Sequence, residues 1–229
     1  MRRKACSISD AAPRPARGGK LLRGRGRSGN SLAMTQAPSS FGAFSGVALA
    51  QAPGPVLETE RLILRPPVLA DFEPWCAMMR DETTAKFIGG VQAPSQVWRS
   101  LMGMAGSWTL HGWAMFSVVE KDTGRWVGRL GPWTPHGWPG TEVGWGLGRD
   151  SWGKGYATEG AAAAIDWAFD TLGWTEVIHC VDPDNTPSAR VAERLGSYNK
   201  GPGRLPEPFH EAKIDIWGQS REEWRARRA

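Results

Sequence analysis

The chain has 229 residues, 41% of them hydrophobic, and a formal net charge of +5 at pH 7, enough for one ordinary domain with a core and a tail besides. The charge is unevenly placed. Residues 1–33 carry nine Lys and Arg against one acid, Asp10, while the remainder carries 19 basic and 22 acidic residues, so the part that folds offers no electrostatic case for nucleic acid. Cys6, Cys76 and Cys180 lie far apart, the four histidines lack metal-ligand spacing, and no apolar run approaches the length of a membrane span. These features exclude a disulfide framework, an ordinary zinc site and a spanning helix, and point to a reducing, cytoplasmic setting without a metal.

Residues 1–55 are rich in Pro, Gly, Ser and Ala and have no periodicity, which predicts a disordered basic extension. Met34 offers an alternative start that would make residues 1–33 an artefact. The stretch "FGAFSGVALAQAP" (41–53) imitates a signal peptide, but Gly42, Ser45 and Gly46 interrupt its apolar core, so export is not expected. Order is expected from residue 56 to the end. In "LETERLILRPP" (57–67) the alternation of Leu62 and Leu64 with Arg61, Ile63 and Arg65 marks a first strand. Helices are expected over 68–81 and over 94–110, the second with Ser95 as N-cap. Two apolar runs in 112–133 flank "KDTG", a hairpin turn. A strand follows over 141–150, then a long helix from Tyr156 to Leu172 and a buried strand over 175–182. Thr186, Pro187 and Gly196 bracket a short helix. A late strand is expected over 210–218, and Ser220 with Glu223 forms a capping box that opens a last helix around Trp224. Mixed strands and helices around one central strand–loop–helix predict a three-layer α/β domain.

That central unit carries the chemistry. In "EVGWGLGR" one strand face bears Glu142, Gly144, Gly146 and Gly148, so it is nearly bare backbone. Such a face accommodates either a thin ligand or a closely packed neighbour. The loop "WGKG" follows. Gly153 and Gly155 allow consecutive N–H groups to converge as an anion nest, and the helix behind them adds its free N-terminal amides. A phosphate or pyrophosphate fits there. Along the helix, Ala157, Ala161, Ile165, Ala168, Phe169 and Leu172 form an apolar stripe with small residues for close sheet packing. The dinucleotide fingerprint fails, because Thr158 stands where its third glycine should be. The Walker pattern matches from Gly148 to Lys154, but Gly155 replaces its Mg²⁺-binding hydroxyl. A P-loop-like ATP-binding enzyme is therefore the competing reading.

The stretch "EVGWGLGRDSWGKGYATEGAAAAIDWAF" resembles the acetyl-CoA motif of the GNAT-superfamily N-acetyltransferases, and within it the branch of the ribosomal-protein N-terminal acetyltransferases. The likeness continues through "NTPSARVAERLG" (185–196), the opening "LETERLILRPP" and the closing "REEW". One position departs: Asp150 stands where many members carry Gln or Arg. The resemblance implies a single domain over 56–229, with a mixed central sheet, a splayed parallel strand pair and helices on both faces. It implies acetyl-CoA as co-substrate, its pantetheine along Trp145, Leu147 and Arg149 and its pyrophosphate on the amides of Trp152, Gly153, Lys154, Gly155, Tyr156 and Ala157, with Thr158 close behind. Glu142 becomes the candidate general base and Ser188 the candidate acid for the leaving thiolate. Asn185 reads both as a helix N-cap and as a pantetheine contact, and Arg190 either meets a CoA phosphate or faces water. Trp98, Trp108, Trp113, Trp133 and Trp138 are candidates to frame the acceptor, a protein N-terminus or small amine. A monomer or homodimer is expected, and a non-catalytic acyl-CoA-binding module remains an alternative.

Overall fold

The computed structural model describes residues 53–228. The expectations for a disordered extension through residue 52, for the Met34 start and for the signal-like stretch lie outside these residues. The described chain forms one eight-stranded sheet in the order β1-β2-β3-β4-β5-β6-β8-β7. Its strands are β1 (Leu57–Glu58), β2 (Leu62–Arg65), β3 (Phe116–Glu120), β4 (Trp126–Trp133), β5 (Glu142–Leu147), β6 (Glu176–Val181), β7 (Tyr198–Gly203) and β8 (Ile214–Ser220). Every neighbouring pair is antiparallel except β5 and β6. The helices are α1 (Phe72–Arg80), α2 (Glu82–Ala85), α3 (Pro94–Leu110), α4 (Tyr156–Asp170), α5 (Thr186–Leu195) and α6 (Arg221–Ala226).

Two apolar clusters hold the layers. One joins Leu62, Leu64, Phe116, Val118, Leu130, Val143 and Leu147 to Ala161, Ala164, Ile165, Ala168 and Phe169 of α4. The other joins Trp75, Cys76, Met78 and Met79 of α1 to Val97, Leu101 and Met104 of α3 and to Met115. Side chains alternate along each strand, so successive residues serve different layers. Of the expected α4 stripe, Ala161, Ile165, Ala168 and Phe169 are buried, Ala157 is half-buried and Leu172 lies beyond the helix, while Ala164 and Gly160 join the buried face: a Cβ at Gly160 would stand 2.6 Å from Leu130 Cδ2. Helix and sheet approach closely because this position has no side chain.

Several boundaries differ from the sequence reading, each for a local reason. Ser95 is not the cap of α3. Ala93 holds that position, Pro94 starts the helix, and the Gln96 side chain accepts the Ala93 N–H at 2.8 Å. The strand expected over 141–150 ends at Leu147, because a 3-10 turn takes up Arg149–Ser151. α4 stops at Asp170, and Gly173 follows at φ 71°. Asn185 caps α5, as one of its two readings had it, accepting the Ser188 N–H at 3.3 Å, so Thr186 is the first helical residue, and Gly196 ends the helix in the left-handed region as expected. β7 had no sequence signal: it is a polar edge strand, "YNKGPG", with a register irregularity between Asn199 and Pro202, as edges tolerate. The Ser220–Glu223 box is present in both directions, at 3.1 and 2.7 Å.

β3 and β4 meet through an irregularity in which Val119 pairs Trp126 while Val118 pairs Gly128. Gly128 has φ 152°, and a Cβ there would fall 2.7 Å from Leu147 Cα and nearer still to the Gly146 carbonyl oxygen. The obstruction is backbone, which cannot turn aside. Replacing Gly128 with Ala is expected to lower unfolding free energy by about 1–3 kcal/mol. A urea midpoint unchanged from the parent would contradict this packing.

Candidate active site

The site grows from the parting of β5 and β6. Their ladder has one register pair, Glu142 opposite Ile178, with the Ile178 N–H donating to the Thr141 carbonyl at 3.0 Å. The next rung of a parallel ladder would join the Cys180 N–H to the Val143 carbonyl. Here each group has a side-chain partner instead. The Cys180 N–H donates to Glu142 Oε1 at 3.2 Å, and the Val143 carbonyl lies 2.7 Å from His179 Nδ1. The strands diverge from that point. On β5, the Gly148 N–H donates to Val127 of β4 at 2.9 Å. Alternation along the antiparallel pair then turns the N–H groups of Trp145 and Leu147 away from β4, into the wedge.

At the wide end of the wedge, Gly153 and Gly155 adopt φ 73° and 83°, a region open to glycine at no steric cost. Gly155 caps α4, whose first backbone bond runs from the Glu159 N–H to the Gly155 carbonyl at 3.0 Å. The preceding amides of the helix end are left for an external acceptor. Not every residue of the loop contributes as its sequence position indicates. The Trp152 N–H donates to Arg149 at 3.0 Å, and its indole donates to the Leu147 carbonyl at 2.7 Å. Lys154 Nζ lies 3.8 Å from Glu120, and the Tyr156 ring is buried with its hydroxyl on Glu120. Arg149 and Asp150 are exposed, and Ala157 and Thr158 are half-buried at the helix start.

Glu142 is only 6% exposed. Burial pushes its carboxyl up to about 7, although Cys180 and the Trp138 indole both donate to it. On the opposite face of β5, the Trp145 indole donates to Ser188 Oγ at 3.0 Å. Its ring lies 4.8 Å from that of His179. His179 is wholly buried and also bonds Ser197 Oγ at 2.9 Å, with burial pulling its pKa down to about 4. Donation from Nδ1 to the Val143 carbonyl requires the neutral tautomer to accept at Nε2.

The bare face of β5 resolves mainly as packing. A Cβ at Gly144 would meet Met115 at 2.8 Å, and one at Gly146 would meet Ile88 at 3.5 Å. Of the five tryptophans, Trp108 is a core residue whose indole donates to the Met115 carbonyl at 3.1 Å, and Trp113 packs edge-on against Trp174. Trp98 packs edge-on against Phe72. Trp138 reaches Glu142 directly, and Trp133 lies opposite it in register. Two residues were missed. His179 sits in an apolar run that reads as an ordinary buried strand. Arg129 stands between apolar residues of β4 with no spacing signal, yet it shares the Glu142 face. No helix among the described residues is long and apolar enough to cross a membrane, and no cluster of metal-binding side chains occurs among them.

The comparisons with known proteins agree with this geometry. The family model described as acetyltransferase (GNAT) domain matches residues 61–197. The N-acetyltransferase p20 of Bacillus licheniformis, itself uncharacterised, is 34% identical over 165 residues, covering 70% of this chain and 92% of that protein. An acetyltransferase structure from Agrobacterium tumefaciens str. C58 superposes with a TM-score of 0.65 at 30% identity, covering 74% of this chain and 96% of that one. The ribosomal-protein-S5-alanine acetyltransferase of Vibrio fischeri shares the fold, with a TM-score of 0.59 at 19% identity over 74% and 98% of the two chains. The competing nucleotide-loop reading finds no support in these likenesses, and its lysine is turned toward Glu120. The family model spans more than half of the chain, so this protein belongs to the GNAT acetyltransferases and is an acyltransferase.

Proposed function

We propose that this protein transfers the acetyl group of acetyl-CoA to a primary amine by direct attack. The observation that carries the reading is the wedge between β5 and β6, with a glycine loop and a free helix end at one end and a buried carboxyl at the other. Pantetheine amides pair with the edge of β5. The pyrophosphate rests on the amides of Gly153–Thr158, where the helix dipole favours negative charge. Because backbone makes these contacts, Asp150 in place of Gln or Arg does not remove the site. The N–H groups of Trp145 and Leu147 face the thioester and stabilise the oxyanion that forms on its carbonyl.

Glu142 takes a proton from the acceptor, through water, as the C–N bond forms. The C–S bond then breaks. The Ser188 hydroxyl accepts from Trp145, so its own hydrogen is free to go to the departing thiolate, and the proton that Glu142 took from the amine returns through water to restore the serine. An α-amine has a pKa of about 7.7–8.0 and needs less help than a lysine at about 10.4. A base near 7 is well matched to either at neutral pH. Asn185 caps α5 through its side chain, which positions Ser188 in the first turn.

Calorimetric titration of the full chain is expected to show acetyl-CoA binding and no response to ATP–Mg²⁺. ATP binding without acetyl-CoA binding would overturn the proposal. Replacing Gly153 with Val, where nothing lies within 4 Å of the new Cβ, disturbs only the backbone, and is expected to weaken acetyl-CoA by tenfold or more. Retained affinity would remove the loop from the site.

Glu142→Gln is expected to lower kcat by roughly 10²–10⁴-fold. The base works only when ionised, so the parent rate rises with pH through about 7, the value to which burial raises Glu142. The variant should lose that limb and keep only the rise set by the amine. An unchanged limb would assign it to another group.

A further inference from the structure

Two arginines lie on the same face of β2 and β4, the strands that flank β3, and the fold treats them differently. Arg65 of β2 is neutralised by Asp71, which meets its two terminal nitrogens at 2.7 and 2.8 Å. Asp71 is fully engaged, since it also accepts from the Ser117 hydroxyl at 2.6 Å and the Val68 N–H at 2.9 Å. Arg129 of β4, directly opposite Ser117 in register, has no carboxylate within ion-pair distance among the described residues. Its Nη1 donates to the Met115 sulfur at 2.8 Å, a weak acceptor, and its Nε is buried without a partner. The guanidinium carbon lies 5.3 Å from the centre of the Trp75 ring. Burial pulls the Arg129 pKa down to about 10, and the charge it feels in return is that of Glu142.

A buried cation of this kind is unfavourable unless an anion completes it. No side chain among the described residues supplies that anion, and the surroundings suit one brought from outside. Gly146 faces Arg129 across the β4–β5 ladder, so no side chain of β5 crowds the guanidinium there. Arg129 as a whole retains some exposure. Trp75, Trp126, Ile88 and Met115 belong to the same apolar cluster, a low-dielectric lining in which a carboxylate–guanidinium pair is strong.

We infer that Arg129 binds the carboxylate of a small acceptor whose amine is presented to Glu142, an acceptor of the amino-acid kind. This rests on the acetyltransferase reading and narrows its substrate class. Arg129 and Glu142 lie on one face of adjacent strands, close enough to influence each other electrostatically and too far apart for an ion pair. The Met115 side chain lies between them, its sulfur on Arg129 and its terminal carbon over Gly144 beside Glu142, so a molecule carrying both groups a few bonds apart would take its place. It brings a carboxylate to Arg129 and leaves its amine beside the base. A peptide N-terminus has an amide where this acceptor has its carboxylate, and would leave the guanidinium unpaired.

The test uses the full-length enzyme, acetyl-CoA, and a panel of amino acids, each set beside its own carboxamide, with thiol release as the readout. At least one amino acid is expected to exceed its carboxamide by tenfold or more in kcat/KM, through KM. Arg129→Met should abolish that preference, and Arg129→Lys should keep part of it. Equal rates for acid and amide in the parent enzyme would overturn the inference without any variant. So would a preference that survives in Arg129→Met, or turnover of simple amines with none of the amino acids. In each case acetyl-CoA binding by the parent enzyme leaves the transferase reading standing. Failure to bind acetyl-CoA would sink that reading, and this inference with it.

Discussion

Past the pairing of Glu142 with Ile178, the Val143 carbonyl and the Cys180 N–H would bond to each other if the ladder continued. An open wedge leaves two strong backbone groups inside the protein, and such groups are costly without partners. The chain answers with two side chains. Glu142 accepts from Cys180, and His179 bonds Val143. Splaying is therefore held by specific hydrogen bonds, and the proposed site depends on it: the amides of Trp145 and Leu147 turned from β4 and the buried place of Glu142 both follow. The same carboxyl that holds the split is the one whose affinity for protons is raised toward neutrality.

The glycine loop is fixed from behind by a charged network. Glu120 of β3 accepts from Tyr156 and from Thr123 at 2.6 Å, and Lys154 and Arg125 lie beside it. Its carboxyl is held down to about 2, chiefly by those hydroxyl bonds. Arg61 pairs with Glu159 and also donates to the Lys154 carbonyl at 2.9 Å. Residues that look available for a phosphate in a linear reading thus tie the start of α4 to the first strands. In the proposed function the anion is left to backbone, whose geometry does not depend on the length or mobility of a side chain.

Where local physics dominates, the sequence was legible. Alternation placed Leu62 and Leu64 inward, Gly153 and Gly155 marked the loop, alanines set the sheet-facing side of α4, and Ser220 with Glu223 opened the last helix. β7 escaped notice because an exposed edge strand needs no apolar pattern. The acceptor side was harder to read, because it is assembled across strands. Arg129 becomes unusual only once Asp71 is seen to pair with Arg65, and His179 only once Val143 is seen to lack its ladder partner. Likewise, thirteen tryptophans say little about which one touches Glu142. Trp108 turned out to be core, and Trp138 to reach the carboxyl.

Hydrogen exchange on the full chain, with and without acetyl-CoA, tests the central claim most directly. If the open edge of β5 and the start of α4 receive the cofactor, protection should rise at the amides of Trp145 and Leu147 and across Gly153–Thr158. The β2–β3 ladder should stay unchanged. Binding that leaves the amides from Trp145 to Thr158 exchanging as before would show that the wedge is not where acetyl-CoA sits.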